Sequence, residues 1–337
     1  MSRTRYSLLS LDGGGIRGII PARVLKEIED RTGRPIAGSF DMVAGTSTGG
    51  ILALGLTVPA GGVPANSAED MLNLYVENGA TIFPDALLLK VETLWGLVDV
   101  RYPAEPLEAL LAEHFGDALL STALTELVIP AYDLTAPAPF FFKREYARDK
   151  ERAWDVEMAL VARSTSAAPT YFDPARLPAF EDEGDHALVD GGLFANNPAM
   201  SAYVDALRLW GSGAEITVVS IGTGRPPQVP GSGPIPVTAD EADGWGLARW
   251  ARPILEVTLD GAAKAVEYQL KQLANATGAN LTYHRLQSSL PTAAPALDNA
   301  TDLNRAALLA DAEALVDEAT DEIDTICAAL DGIAAQR

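Results

Sequence analysis

The chain has 337 residues, of which 48% are hydrophobic and 21% are charged, proportions that match soluble globular proteins and exclude global disorder. Its formal net charge is −21, which argues against nucleic acid as a partner and against electrostatic docking on anionic lipid. Cys327 is the only cysteine of the sequence, so an intrachain disulfide and a cysteine-based metal cluster are both excluded.

In chain order, the hydrophobic patterns first predict a strand over residues 6–11, a helix that begins near Pro21, a strand over 40–44 and a helix after Ser47. Helices over 67–77 and 105–115, strands over 127–133 and 139–143, and a helix over 154–163 follow. The last elements are a strand over 186–189, a helix over 197–209, a strand over 216–221, a flexible loop over 222–236 and an acidic helical tail over 302–335. Strands that alternate with helices predict an α/β layered fold with a mostly parallel sheet.

The chain shows no internal repeat and no convincing domain boundary, so we predict a single domain over residues 1–337. The uncharged stretch over 43–68 is broken by prolines and glycines. Its strongly apolar part, residues 51–58, is much shorter than the about 20 residues that cross a bilayer, and we predict a buried helix there. Residues 1–10 have no adequate apolar segment for a secretory signal. We expect a cytoplasmic protein with peripheral contact at membranes.

A G-x-S-x-G motif, Gly45-Thr46-Ser47-Thr48-Gly49, connects the second predicted strand to the helix after it. In this context the motif forms a sharp turn that presents a serine nucleophile. Small residues are required at Gly45 and Gly49 because the backbone doubles back on itself there. The helix that follows also directs its positive end at charge that develops near Ser47. The motif therefore indicates a nucleophilic serine.

A glycine-rich loop lies between the first strand and the first helix. Its residues are Gly13, Gly14, Gly15, Ile16, Arg17 and Gly18. The loop matches the dinucleotide fingerprint G-x-G-x-x-G, so a nucleotide-binding oxidoreductase is the principal alternative. A Rossmann unit places an acidic residue at the end of the second strand, whereas this second strand ends in the Ser47 turn. Consecutive glycine amides also suit an oxyanion hole, and the two motifs together favour ester chemistry.

A serine nucleophile needs a base, and the chain offers three histidines for that role. His114 lies in a predicted amphipathic helix and His284 in a predicted strand, so structural roles are favoured for both. His186 lies four residues before Asp190, and its role remains open. None of the three is placed by the sequence beside Ser47.

Asp190 is the carboxylate that the sequence places best. It ends a predicted strand and is followed by Gly191 and Gly192, so its side chain reaches a cleft without obstruction. Because a well-placed histidine is missing, a dyad of Ser47 and Asp190 is the economical hypothesis.

These three motifs, in this order, resemble the patatin-like phospholipase family. Residues 12–18 resemble its oxyanion loop, 45–49 its nucleophile turn, and 190–192 its dyad aspartate motif. Shorter segments are similar as well, at 132–135, 166–172, 196–198 and 220–224. The resemblance covers a core of about residues 5–290 and, more faintly, the tail at about 301–335.

The resemblance implies a three-layer α/β/α sandwich and a histidine-free dyad in which Asp190 takes the proton of Ser47. It implies hydrolysis of acyl esters in glycerolipids, of the phospholipase A or lysophospholipase type, with transient membrane contact and without a metal or cofactor. A broad carboxylesterase or thioesterase with the same dyad is the alternative within enzymes. A non-catalytic storage or interaction protein that retains the fold is the alternative from another class.

Two features bear on the choice of substrate. Apolar residues over 86–98 are our candidate lipid contact, because an acidic protein reaches a membrane by apolar insertion rather than by charge. They are Leu87, Leu88, Leu89, Leu94, Trp95, Leu97 and Val98. An ordinary packed helix explains the same pattern equally well. Arg17 either steers a phosphate headgroup or braces the glycine loop, and the sequence leaves both roles open.

Overall fold

The computed structural model describes residues 4–83, 101–149, 155–179, 184–225, 237–250, 253–276 and 280–336. The strands in these ranges are β1 (Arg5–Leu11), β2 (Met42–Gly45), β3 (Pro59–Ala60), β4 (Val63–Pro64), β5 (Glu126–Asp133), β6 (Ala138–Lys143), β7 (Ala175–Leu177), β8 (His186–Asp190), β9 (Glu215–Ile221) and β10 (Leu281–Leu286). The helices are α1 (Ile19–Thr32), α2 (Ile36–Ser39), α3 (Thr48–Gly55), α4 (Ala68–Ile82), α5 (Glu105–Phe115), α6 (Arg144–Asp149), α7 (Met158–Thr165), α8 (Gly192–Ala195), α9 (Ala199–Trp210), α10 (Ala239–Ala242), α11 (Leu247–Trp250), α12 (Pro253–Ala274), α13 (Asp302–Glu318) and α14 (Thr320–Ala334).

The central sheet has eight strands, in the order β10-β9-β1-β2-β5-β8-β7, with β6 also paired to β5. Every pair from β10 to β5 is parallel. The strands β6, β7 and β8 pair in the antiparallel sense. The sheet is therefore mixed but mostly parallel, as the alternation of strands and helices predicts.

Two strands lie end to end along one edge of β5. Val128 of β5 pairs with Ala44 of β2 and also with β6, so β2 and β6 occupy opposite edges. Ala131 pairs with Asp190 of β8 and also with β6, which places β8 on the same edge as β2. Because β2 is parallel to β5 and β8 is antiparallel, the carboxyl ends of β2 and β8 point towards each other. The residues that end these two strands are thereby brought together.

Helices cover both faces of the sheet, because successive side chains of a strand point to opposite faces. Leu9 and Val43 belong to a core shared with α1, α3, α4, α5, α7, α13 and α14. Leu8 and Met42 belong to a second core, shared with α9 and α12. The predicted three-layer α/β/α sandwich is confirmed.

The predicted elements are found with small shifts of their ends. The first helix begins at Ile19 rather than near Pro21, and the apolar segment after Ser47 is the buried helix α3. The helix predicted over 154–163 is α7, which begins at Met158, while residue 154 lies outside the described residues. The short elements α2, β3, β4, α6, β7, α8 and α10 were not predicted.

The tail is helical, but it forms two helices instead of one. The break lies at Ala319, whose φ is −98° and ψ is 15°. Both helices pack on α1; in addition, α13 packs on α4, whereas α14 packs on α2 and β1. Most of the predicted loop over 222–236 and all of the candidate lipid contact over 86–98 lie outside the described residues. Within the described ranges, no helix is both long enough and apolar enough to cross a membrane.

Candidate active site

Ser47 occupies a strained turn between β2 and α3. Its backbone has φ 54° and ψ −122°, a conformation that non-glycine residues adopt only at a cost of about 1–3 kcal/mol. The turn is so tight that a Cβ atom added at Gly45 would lie 2.0 Å from the carbonyl oxygen of Gly49. The strand–helix turn that the G-x-S-x-G motif predicts is therefore present.

Threonine side chains hold the turn in place. The Ser47 N–H donates to Thr165 Oγ1 over 3.0 Å, and Thr165 Oγ1 in turn donates to the Pro130 carbonyl of β5 over 2.6 Å. Thr46 Oγ1 donates to the Ala195 carbonyl over 2.6 Å. The strained conformation is thus fixed by hydrogen bonds to β5 and to α8.

Asp190 is the last residue of β8, and it is buried. Its Oδ1 atom accepts a hydrogen bond from the Gly192 N–H over 2.7 Å. Burial disfavours the carboxylate and raises the pKa of Asp190 to about 6, although hydrogen bonds from the Ser47 hydroxyl and the Gly192 N–H oppose the rise. The end-to-end arrangement of β2 and β8 therefore brings a serine hydroxyl to a carboxyl group that is mainly ionised at neutral pH.

The glycine loop offers two amides to the same space. The N–H groups of Gly13, Ile16 and Arg17 already donate to carbonyl oxygens of the protein. Within the described residues, the N–H groups of Gly14 and Gly15 have no acceptor, and both residues line the cleft that contains Ser47. The amides of Gly14 and Gly15 are therefore available for an oxyanion.

A buried ion pair anchors the start of this loop. Arg285 of β10 contacts both carboxylate oxygens of Asp12, with Nη1 to Oδ1 at 2.9 Å and Nη2 to Oδ2 at 2.6 Å. Both side chains are almost completely buried. Thr223 Oγ1 also donates to the Gly13 carbonyl over 3.0 Å. The loop is therefore positioned by β9 and β10, on the far side of β1 from the Ser47 turn.

An apolar cleft of about 710 Å³, which includes space open to solvent, contains Ser47 and Asp190. Most of its lining is aliphatic or aromatic, and it is contributed by α3, α4, α5, α8, α12 and the segments after α7 and before α13. The apolar lining residues are Ile51, Tyr75, Ile82, Phe83, Leu107, Ala168, Pro169, Tyr171, Phe172, Leu193, Leu255, Leu259 and Leu297. A long hydrocarbon chain fits such a surface.

A second, narrow apolar cavity adjoins the cleft, with a volume of about 260 Å³ that includes space open to solvent. Four residues line both spaces: Ile51, Tyr75, Ile82 and Leu107. The second cavity continues between α4 and α5 to residues that include Leu111 and His114. The apolar surface that begins at Ser47 therefore extends into the helical layer.

The three histidines have other partners, and among the described residues that line the cleft none is a histidine. His114 Nδ1 lies 3.0 Å from the Leu110 carbonyl, and His284 Nδ1 lies 2.8 Å from Glu322 Oε1. His186 Nδ1 lies 2.6 Å from Asp133 Oδ2. His186 begins β8 and Asp190 ends it, so the two are separated by about 13 Å of extended strand.

Arg17 lies against the glycine loop. Its Nε atom donates to the Gly14 carbonyl over 3.3 Å. Burial lowers the pKa of Arg17 to about 10, a change that the negative charges of Glu256 and Asp260 oppose. This contact fits the bracing alternative, and Arg17 is absent from the described residues that line the cleft.

Thr165 and Arg285 are the site residues that sequence reasoning missed. The contact between Thr165 and the Ser47 turn joins residues that are 118 positions apart in the chain. The contact between Arg285 and Asp12 joins residues that are 273 positions apart. Thr165 directly precedes the 166–172 segment, which gave a weak signal. For Arg285 the sequence carries no comparable signal.

Fold and site together define an α/β protein that presents a serine from a strained strand–helix turn in an apolar cleft. The model of the patatin-like phospholipase family matches residues 9–203. Patatin-like protein 2 of Oryza sativa subsp. indica is 31% identical, over 94% of this chain and 85% of that protein. Patatin-like protein 2 of Arabidopsis thaliana is 33% identical, over 88% and 79%. Probable inactive patatin-3-Kuras 1 of Solanum tuberosum is 30% identical, over 94% and 87%. The chain belongs to the patatin-like phospholipase family.

Proposed function

We propose that the protein is a lipid acyl hydrolase of the phospholipase A or lysophospholipase type, which cleaves fatty acyl esters of glycerolipids. The observation that supports the proposal is that the Ser47 hydroxyl and the Asp190 carboxyl group lie together in the apolar cleft. A dyad of this kind needs neither a metal ion nor a cofactor, because the carboxylate itself accepts the proton of the nucleophile.

In the proposed reaction, the Ser47 oxygen attacks the ester carbonyl while Asp190 accepts the hydroxyl proton. The N–H groups of Gly14 and Gly15 donate to the oxyanion of the tetrahedral intermediate, and the positive end of α3 adds to its stabilisation. Asp190 then returns the proton to the departing alcohol, which leaves an acyl group on Ser47. A water molecule, activated by the same carboxylate, releases the fatty acid.

The environment of Asp190 supports its role as a base. A general base works best when its pKa lies close to the working pH, and the pKa of Asp190 is raised to about 6 by burial. The carboxylate is therefore mainly ionised at neutral pH, yet more basic than an exposed aspartate. The apolar surroundings also strengthen its interaction with the Ser47 hydroxyl.

The test is fatty-acid release from phosphatidylcholine vesicles in the presence of a metal chelator. Wild type is expected to release fatty acid. The Ser47→Ala and Asp190→Asn variants are expected to release it at least about a thousandfold more slowly. A soluble ester and a thioester with the same acyl chain are measured in parallel. Release of thiol but not of phospholipid acyl chains would favour the thioesterase alternative, and inactivity on all three would favour a non-catalytic protein.

A further inference from the structure

The helix α12 forms one wall of the cleft and also exposes an apolar surface. Leu255 and Leu259, in its first two turns, line the cleft. In the same turns, Ile254 is 53% exposed and Val257 is 42% exposed. At about 100° per residue, the pair of exposed side chains lies about 150° around the helix from the pair that lines the cleft. We call Ile254 and Val257 the outer face of α12.

An outer face of this kind is unusual for a helix at the surface of a soluble protein. Such a helix directs its apolar side towards the protein and polar residues towards water. The first turns of α12 are instead apolar on both sides. Trp250, just before the helix, is also 40% exposed, and it packs edge-on against Trp245 at 5.2 Å between ring centroids. Tryptophan is enriched where proteins meet the boundary between water and lipid.

We propose that the outer face of α12 docks on the surface of a zwitterionic phospholipid bilayer. This inference rests on the proposed lipid substrate. The outer face and the cleft are separated by about one helix diameter, about 10 Å, so a bilayer that contacts Ile254 and Val257 lies about that distance from the cleft, across α12. Docking there shortens the path of a lipid from the bilayer to Ser47.

The charge of the protein determines which bilayer it contacts. With 25 basic and 46 acidic residues, the chain is repelled by anionic headgroups. Insertion of apolar side chains depends on the area that they bury and not on charge. Binding to zwitterionic vesicles is therefore expected to persist at high salt, where attraction between charges is screened.

The test compares binding to phosphatidylcholine vesicles by flotation. The Ser47→Ala protein is used so that the vesicles stay intact, and the double substitution Ile254→Asp with Val257→Asp is added to it. The matched control is Val204→Asp, because Val204 is 57% exposed on α9 and is no part of the described cleft lining. Loss of the two apolar contacts is expected to weaken vesicle binding about tenfold or more, while the control binds normally.

Two further measurements keep this test separate from that of the proposed function. With an active Ser47, the double substitution is expected to leave hydrolysis of a soluble short-chain ester unchanged, which also shows that the variant is folded. If the aspartates unfold the protein, serines at both positions carry the same comparison. The proposed docking surface is overturned if the Ser47→Ala protein does not bind vesicles. It is also overturned if vesicle binding is equal with and without the double substitution. Failure of wild type on every ester overturns the proposed function instead.

Discussion

Replacing Ser47 by glycine is expected to leave a more stable protein than replacing it by alanine. Both substitutions remove the hydroxyl and its contact with Asp190, so they differ only in the backbone. Alanine keeps the strain of φ 54° and ψ −122°, which is about 1–3 kcal/mol, whereas glycine adopts this conformation freely. Glycine loses more chain entropy on folding, about 0.5–1 kcal/mol relative to alanine. The net expectation is that Ser47→Gly is more stable by about 1 kcal/mol.

The assay is urea denaturation of the two variants, followed by circular dichroism. For a chain of 337 residues, about 1 kcal/mol corresponds to only about 1–2 °C in melting temperature, so the denaturation midpoint is the better measure. The control is Ser201, which lies in the helix α9. There alanine is expected to be more stable than glycine, because glycine is a poor helix former. Equal stability of Ser47→Gly and Ser47→Ala, or greater stability of the alanine variant, refutes the claim that the turn is strained.

Three further predictions concern the dyad, the second cavity and the turn. The kcat/KM for a soluble ester is expected to fall as pH decreases through about 6, because protonation of Asp190 removes the base; a profile that stays flat down to pH 4 contradicts this. Leu111→Phe enlarges a side chain that lines the second cavity and is expected to lower kcat/KM for a p-nitrophenyl palmitate about tenfold while that for the butyrate is unchanged; an equal loss on both esters argues against a role in binding the acyl chain. Gly45→Ala places a Cβ atom against the Gly49 carbonyl and is expected to lower the free energy of unfolding by about 3 kcal/mol, measured by urea titration. The control is Gly213→Ala, whose added Cβ atom has no neighbouring atom within 4 Å and is expected to have little effect.

The parallel part of the fold was predictable because it is encoded locally. The buried strands β1 and β9 are short apolar runs, and the turns after β1 and β2 are marked by glycines, so sequence patterns locate both. The antiparallel placement of β8 along β5 was not predictable, because it depends on pairing between distant segments. Yet that pairing is what brings Asp190 to Ser47. The motif resemblance paired these residues without supplying the geometry.

Within the site, the residues expected to contact a substrate could be predicted from the sequence. The residues that position those groups were harder to predict. The glycine loop was visible as a whole, but which of its amides are available depends on carbonyl partners elsewhere, such as that of Leu297 for Ile16. In the sequence, no local pattern distinguishes Arg285 from the other arginines. Only folding places it against Asp12 in a buried pair. Residues of this kind are fixed by packing and carry no local pattern.

The most direct test of the central claim is to trap the acyl group on the protein. A soluble palmitoyl ester is mixed with the enzyme, the reaction is quenched in acid during turnover, and the modified peptide is mapped by mass spectrometry. The account predicts a palmitoyl group on Ser47 in wild type, none in Ser47→Ala, and very slow acylation in Asp190→Asn. An acyl group on another residue, or acylation of Asp190→Asn at the wild-type rate, contradicts the dyad.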